Sequence, residues 1–157
     1  MLKIVTGAET SILRKTVDPV TVFDEKLKET AEQMIDVMLA PAIDTDVVGI
    51  GIAANQVGLD MRIMIVTLNI ETKKKQKVVV MVNPEIIEES KQECVMEEGC
   101  LSLPGESGKV RRPSKLKLKW QNLEGNWAER KFDGWDARVI QHEIDHLNGI
   151  LFTDILV

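Results

Sequence analysis

The only two histidines of the chain, His142 and His146, stand four residues apart near its C-terminal end, with Glu143 directly after the first. In a helix, residues i and i+4 lie one above the other on the same face. Two imidazoles so placed can hold one divalent cation, and the carboxylate between them can reach its bound water. The chemistry this spacing suggests is hydrolysis. At about 100° per residue, Trp135, Val139, His142 and His146 share one narrow stripe, with Glu143 beside it. Ala137, Ile140, Ile144 and Leu147 form an apolar face, and Arg138, Gln141, Asp145 and Asn148 take the remaining arc. A helix apolar over most of its girth is a buried one. Asp133 suits its N-cap and Gly149 its stop, so a helix over about residues 134–148 is expected.

Two histidines leave such a site incomplete, because a catalytic centre of this type takes three protein ligands and keeps one position for water. Few residues follow His146. A histidine three places after Gly149 would complete one known downstream pattern, but Phe152 stands there. The third ligand must come from upstream, where no histidine remains. Cys100 is the best candidate: a thiolate is a strong ligand for borderline metals, and Gly99 lets the backbone come close. Cys94 is the alternative thiol, with the plainer reading of a small buried residue.

The segments that must carry these groups are legible in part. Residues 24–39 place Leu27, Ala31, Met34, Ile35, Met38 and Leu39 at helical spacing, and Pro41 stops that helix. A loop is expected over 42–48. Residues 49–58 hold Gly49, Gly51, Ala53 and Ala54, which leave room for another group to lie against the backbone, and then Gln56. A phosphate-binding loop fails here for want of a third glycine or a Gly-Lys-Ser/Thr ending. Strands are expected over 61–68 and 77–82, with Asn83-Pro84 ending the second, and over 85–89. Lys115-Leu116-Lys117-Leu118-Lys119-Trp120 alternates, lysines outward. A turn over 122–126 leads to a partner strand over 127–132. The expected class is α+β, a mostly antiparallel sheet packed around a central buried C-terminal helix carrying HExxH.

The 157 residues carry a net charge of −5 and suit one domain spanning 1–157. That charge argues against nonspecific nucleic-acid binding and a basic membrane-binding face. No apolar run approaches the roughly 20 residues needed to span a bilayer, and Met1 to Thr6 lack the apolar core of a signal peptide. A soluble, reducing compartment is expected.

Gly49-Ile50-Gly51-Ile52-Ala53-Ala54-Asn55-Gln56, Glu98-Gly99-Cys100-Leu101-Ser102 and Gln141-His142-Glu143-Ile144-Asp145-His146, in this order, resemble the three motifs of the peptide deformylase family. Leu13-Arg14 to Pro19 and Pro104-Gly105 to Arg112-Pro113 are similar to it as well, so the likeness covers nearly the whole chain. It implies removal of the formyl group from N-formyl-methionyl nascent peptides, with release of formate. It also implies that Cys100, His142 and His146 hold Fe²⁺, with Zn²⁺, Ni²⁺ or Co²⁺ able to replace it, and that Glu143 moves the proton. Gln56 and the backbone N–H of Leu101 would stabilise the oxyanion. Ile50 and Gly51 would bind the peptide main chain, and Met96, Trp135 and Val139 would receive the methionine side chain. The ribosome is a further expected partner, and the cytoplasm the expected location, or an organelle or host cytoplasm for a non-bacterial source. Two departures stand out. Many bacterial members carry a further helix after the histidine motif, whereas this sequence runs only to Val157, which leaves the subclass open. Position 55, often proline, is Asn, and little effect is expected because Gln56 is kept. The competing readings are an HExxH endopeptidase and a closed structural metal site.

Overall fold

The computed structural model describes residues 1–41 and 48–157. Most of the loop expected over 42–48 lies outside the described residues. The first helix, α1 (Glu25–Leu39), starts where the Asp24 carboxylate accepts a hydrogen bond from the Leu27 N–H at 3.0 Å. The strands are β1 (Gly51–Ala53), β2 (Ile63–Leu68), β3 (Lys77–Glu89), β4 (Glu93–Cys100), β5 (Leu103–Pro113), β6 (Lys115–Gln121) and β7 (Trp127–Asp133), followed by α2 (Gly134–Leu147). All the strand pairs are antiparallel. Five strands form one sheet in the order β1-β2-β3-β6-β7, and β4 and β5 form a separate hairpin.

The two helices flank the sheet. Ile63 and Ile65 of β2 pack with Leu27, Met34 and Met38 of α1. Met64, Val66 and Leu68 of the same strand pack with Val139, Ile140, Ile144 and Leu147 of α2. A strand covered on both sides reads as a continuous apolar run, which is why Ile63 to Leu68 show no polar alternation and are buried throughout. The fold is therefore the expected α+β arrangement, with a central helix near the end of the chain against an antiparallel sheet.

Two strand expectations differ from the structure. Asn83-Pro84 does not end a strand: β3 runs through it for 13 residues. Asn83 takes a left-handed φ of 49° and the register with β6 shifts between Val82 and Glu85, so the missing N–H of Pro84 is absorbed in a bulge. The β4/β5 hairpin was not foreseen. Its strands mix charged and small residues on both faces, so they lack the period-two apolar signal.

Helix α2 ends in a defined way. Ile150 N–H donates to Asp145 O at 2.8 Å and Gly149 N–H to His146 O at 3.0 Å, the paired bonds of a Schellman stop. Gly149 has φ 74°, and a Cβ there would collide with the Arg14 carbonyl. The glycine lets the Arg14 segment pass directly under the helix end, where Val17 N–H donates to Leu147 O at 3.0 Å. Asp133 occupies the N-cap position, but its side chain caps nothing.

Candidate metal centre

Two elements bring three donor atoms together. Cys100 ends β4 at a register shift after Gly99, and His142 and His146 lie one turn apart on α2. Cys100 Sγ lies 3.2 Å from His146 Nε2, which lies 3.2 Å from His142 Nε2. Among the described residues these three form the one group of such side chains, all ligand atoms within 4.8 Å of one another. A thiol with two imidazoles suits iron(II), zinc, nickel or cobalt rather than magnesium or calcium, so the residues present fit a transition-metal ion. Cys94 is not part of the group. It is half-buried, and its carbonyl and Sγ accept from Arg138 at 2.9 and 3.3 Å.

The imidazoles are fixed from behind. His142 Nδ1 lies 2.8 Å from Glu98 Oε1. Glu98, 6% exposed, also accepts from Arg112 at 2.7 and 2.9 Å and from Arg138 at 2.7 Å. Arg112 donates in turn to Asp145 at 2.7 Å. Two guanidiniums thus face two carboxylates in one network, buried except at the half-buried Asp145. Burial alone would raise the Glu98 pKa, but the bonds from Arg112, His142 and Arg138 hold it well below the usual carboxylate range. Burial would likewise lower His142, yet its bonds to Cys100 and Glu98 and the charge of Glu143 push it up to about 10. His146 goes the other way, lowered by burial and then by the charge of His142. Residue-type reasoning placed Arg138 and Gln141 on a polar arc, whereas both are buried. Gln141 Nε2 donates to the carbonyls of Pro113 and Ala137, each at 3.0 Å. Glu98 and Arg138 were missed as site residues, and the one available signal was Glu98 next to the Gly-Cys turn.

Beside this group lies a cavity of about 530 Å³, lined by Ile50, Gly51, Gln56, Leu101, Trp135 and Val139 together with Cys100, His142 and Glu143. Met96 does not reach it. It lies four residues before Cys100 along β4, opposite Val110, about 13 Å away at extended spacing. Gln56 is locked by its own loop: Oε1 accepts from Ala53 N–H at 2.9 Å, and Nε2 faces Ser102 Oγ at 3.2 Å and Cys100 Sγ at 3.5 Å. Glu143 is 3% exposed and its Oε2 has no hydrogen-bond partner among the described residues. Burial pushes this carboxyl up to about 7, opposed in part by His142. An unpartnered carboxylate titrating near neutrality beside three metal donors is placed to exchange protons with a reacting molecule. Gly51 is the close approach the sequence implied: a Cβ there would lie 2.8 Å from Glu143 Oε1 and 2.9 Å from Val139 Cγ1.

A second cavity, about 570 Å³, lies on the β6/β7 face, where Lys115, Lys117, Arg130 and Lys131 meet Glu88, Glu89, Asp133 and Asp136. Lys74 also lines it, so cationic and acidic side chains are mixed there, and the lysines of β6 form the outward strand face expected of them.

The model of the polypeptide deformylase family matches residues 1–157. The chain belongs to that family. The peptide deformylase of Desulfotalea psychrophila is 42% identical over 156 residues, 99% of this chain and 88% of that protein. The crystal structure of the peptide deformylase from Thermotoga maritima superposes with a TM-score of 0.88 at 39% identity, covering 100% of this chain and 98% of that one. A probable peptide deformylase from a Synechococcus phage gives 0.87 at 40%, covering 99% of this chain and 100% of the other. Membership makes this chain a metal-dependent hydrolase that removes the N-terminal formyl group of newly made peptides. No helix among the described residues is long and apolar enough to cross a membrane.

Proposed function

We propose that residues 1–157 act as one catalytic unit in which Cys100, His142 and His146 hold a single divalent ion, Fe²⁺ in the cell. The convergence of these three donors beside an unpartnered Glu143 oxygen carries the reading. When bound, such an ion supplies the Lewis acidity that makes a hydroxide nucleophile available near neutral pH. Glu143 takes a proton from the attacking water and hands it to the amine as the formyl C–N bond breaks, giving formate and a free N-terminus. Gln56 Nε2 and the Leu101 N–H donate to the oxyanion, held ready by the Ala53 and Ser102 contacts of the Gln56 side chain. Ile50 and Gly51 bind the peptide backbone as a neighbouring strand would. The apolar walls of Trp135 and Val139 receive the methionine side chain. The substrate is an N-formyl-methionyl nascent chain met as it leaves the ribosome, in the cytoplasm or in an organelle that formylates its initiator.

The test is formate release from formyl-Met-Ala-Ser by anaerobically purified protein of known metal content, with casein digestion run beside it. Release of formate without casein cleavage is expected, and Glu143→Gln should keep the metal while losing about 10²–10⁴-fold in turnover. Iron-loaded protein that leaves the formyl peptide intact overturns the reading. The endopeptidase alternative loses ground to the crowded approach at Gly51. The closed structural site requires a fourth protein ligand, which no described residue adds to the group.

A further inference from the structure

The two ligand imidazoles are supported unequally. His142 Nδ1 has Glu98 behind it, but His146 Nδ1 is buried with no hydrogen-bond partner among the described residues. Because His146 Nε2 is the nitrogen that faces Cys100 and His142, Nδ1 is the one that carries the proton, and it is a donor in need of an acceptor. Asn55, fully buried, touches the same residue. Its Nδ2 donates to the carbonyl oxygen of His146 and, at 3.4 Å, to that of Ile12. Two carbonyls can be met only by the amino side of the amide, so the orientation of Asn55 is determined. Its Oδ1 therefore faces away from both carbonyls, and it too is buried with no partner among the described residues. One buried acceptor and one buried donor are thus left over on two residues already in hydrogen-bond contact.

We propose that Asn55 is a positioning residue for His146: its Oδ1 accepts the Nδ1–H proton through one enclosed water and holds the ring with Nε2 toward the ion. A buried water that meets a donor and an acceptor at once is retained in the fold. The same amide ties the Ile12 turn to the end of α2, so the ring and its backbone are fixed together. Asn55 also precedes Gln56 directly, which couples the ligand to the oxyanion donor through one rigid turn. A proline here could not make these bonds, so the proposal predicts an effect of the exchange at position 55, where the sequence leads one to expect little. This inference rests on His146 being a metal ligand.

The experiment uses the full chain loaded with Zn²⁺ and reads metal affinity rather than turnover. Asn55→Leu should weaken Zn²⁺ binding about 10–100-fold in competition with a chromophoric chelator, and Asn55→Ser, which keeps a short polar group, should weaken it less. A purely structural role would lower the melting temperature of the metal-free protein and leave Zn²⁺ affinity unmoved, and that result overturns the proposal. If Asn55→Leu does not fold, Asn55→Ser and ¹⁵N NMR of wild-type histidines decide. A slowly exchanging proton on His146 Nδ1 supports the proposal, and an unprotonated or metal-bound Nδ1 overturns it. Wild-type protein that fails to bind Zn²⁺ defeats the ligand assignment itself, a separate outcome from unchanged binding in the variants.

Discussion

Replacing Glu98 by Gln removes a charge on which three cationic or polar groups converge. Glu98 accepts two bonds from Arg112, one from Arg138 and one contact from His142, all between 2.7 and 2.9 Å. Removing one partner of a buried ion pair costs about 3–5 kcal/mol, because the other charge is left uncompensated. Here the loss belongs at the lower end. Arg112 keeps Asp145 at 2.7 Å, and Arg138 keeps the carbonyls of Val110 and Cys94 at 3.0 and 2.9 Å. A loss of about 3 kcal/mol, at roughly 2–4 °C per kcal/mol for a chain of this size, lowers Tm by about 6–12 °C. The assay is thermal melting of chelator-treated protein at pH 7, with Zn²⁺ affinity measured in parallel. Affinity should fall about 10–100-fold, since His142 loses its orienting partner. The pH dependence has a definite sign. The folded state holds the Glu98 pKa below its unfolded value of about 4.3, so its stabilisation is complete above that value and disappears as pH falls through the folded pKa. The melting temperatures of wild type and Glu98→Gln should therefore begin to approach each other only below about pH 4 and meet only as pH falls through the folded pKa. A variant that melts with wild type at pH 7 and binds Zn²⁺ equally well would refute the network's role.

Gly51→Ala should cost both rate and stability: its Cβ would sit 2.8 Å from Glu143 Oε1 and 2.9 Å from Val139 Cγ1, so a displacement approaching 1 Å costs about 10²-fold in kcat, measured by formate release, and the overpacking costs about 1–3 kcal/mol, read in a thermal melt. Gly149→Ala should instead unfold the molecule more easily. Its φ of 74° and the collision with the Arg14 carbonyl together cost more than about 1–3 kcal/mol, read as a Tm drop in a thermal melt. The acid limb of the kcat/KM profile should lie no higher than about pH 7, because burial sets Glu143 near 7 and a nearby divalent charge lowers it further. Activity should rise with pH through that limb, and the limb should vanish in Glu143→Gln.

How far the sequence could be read depended on the range of the interactions involved. The cluster of Cys100, His142 and His146 was legible because the i,i+4 spacing of the two histidines is local, and Cys100 followed from the scarcity of other candidates. Helix α2 and the β6/β7 pair carry strong periodic patterns and were found nearly to the residue. The burial of Arg138 was not legible, since it depends on Glu98, 40 residues away, meeting it across the fold. Asn83 hid the continuity of β3, because a left-handed asparagine before proline reads as a stop from either side. Met96 was assigned by nearness in sequence to Cys100. An extended strand turns that nearness into distance, and the cavity wall comes from Ile50, Trp135 and Val139 instead.

Phe152 occupies the place where a third histidine was sought, and its ring stacks on His142 with centroids 6.2 Å apart and planes 27° from parallel. It is 1% exposed and packs with Leu103, Val110 and Leu151, so hydrocarbon shuts one side of the donor group as the buried Glu98–Arg112–Arg138 network shuts another. Traffic of the ion must then run through the same mouth that admits the peptide. A tight inhibitor seated in that mouth should trap the ion inside, and a chelator added afterwards should strip it only as fast as the inhibitor departs.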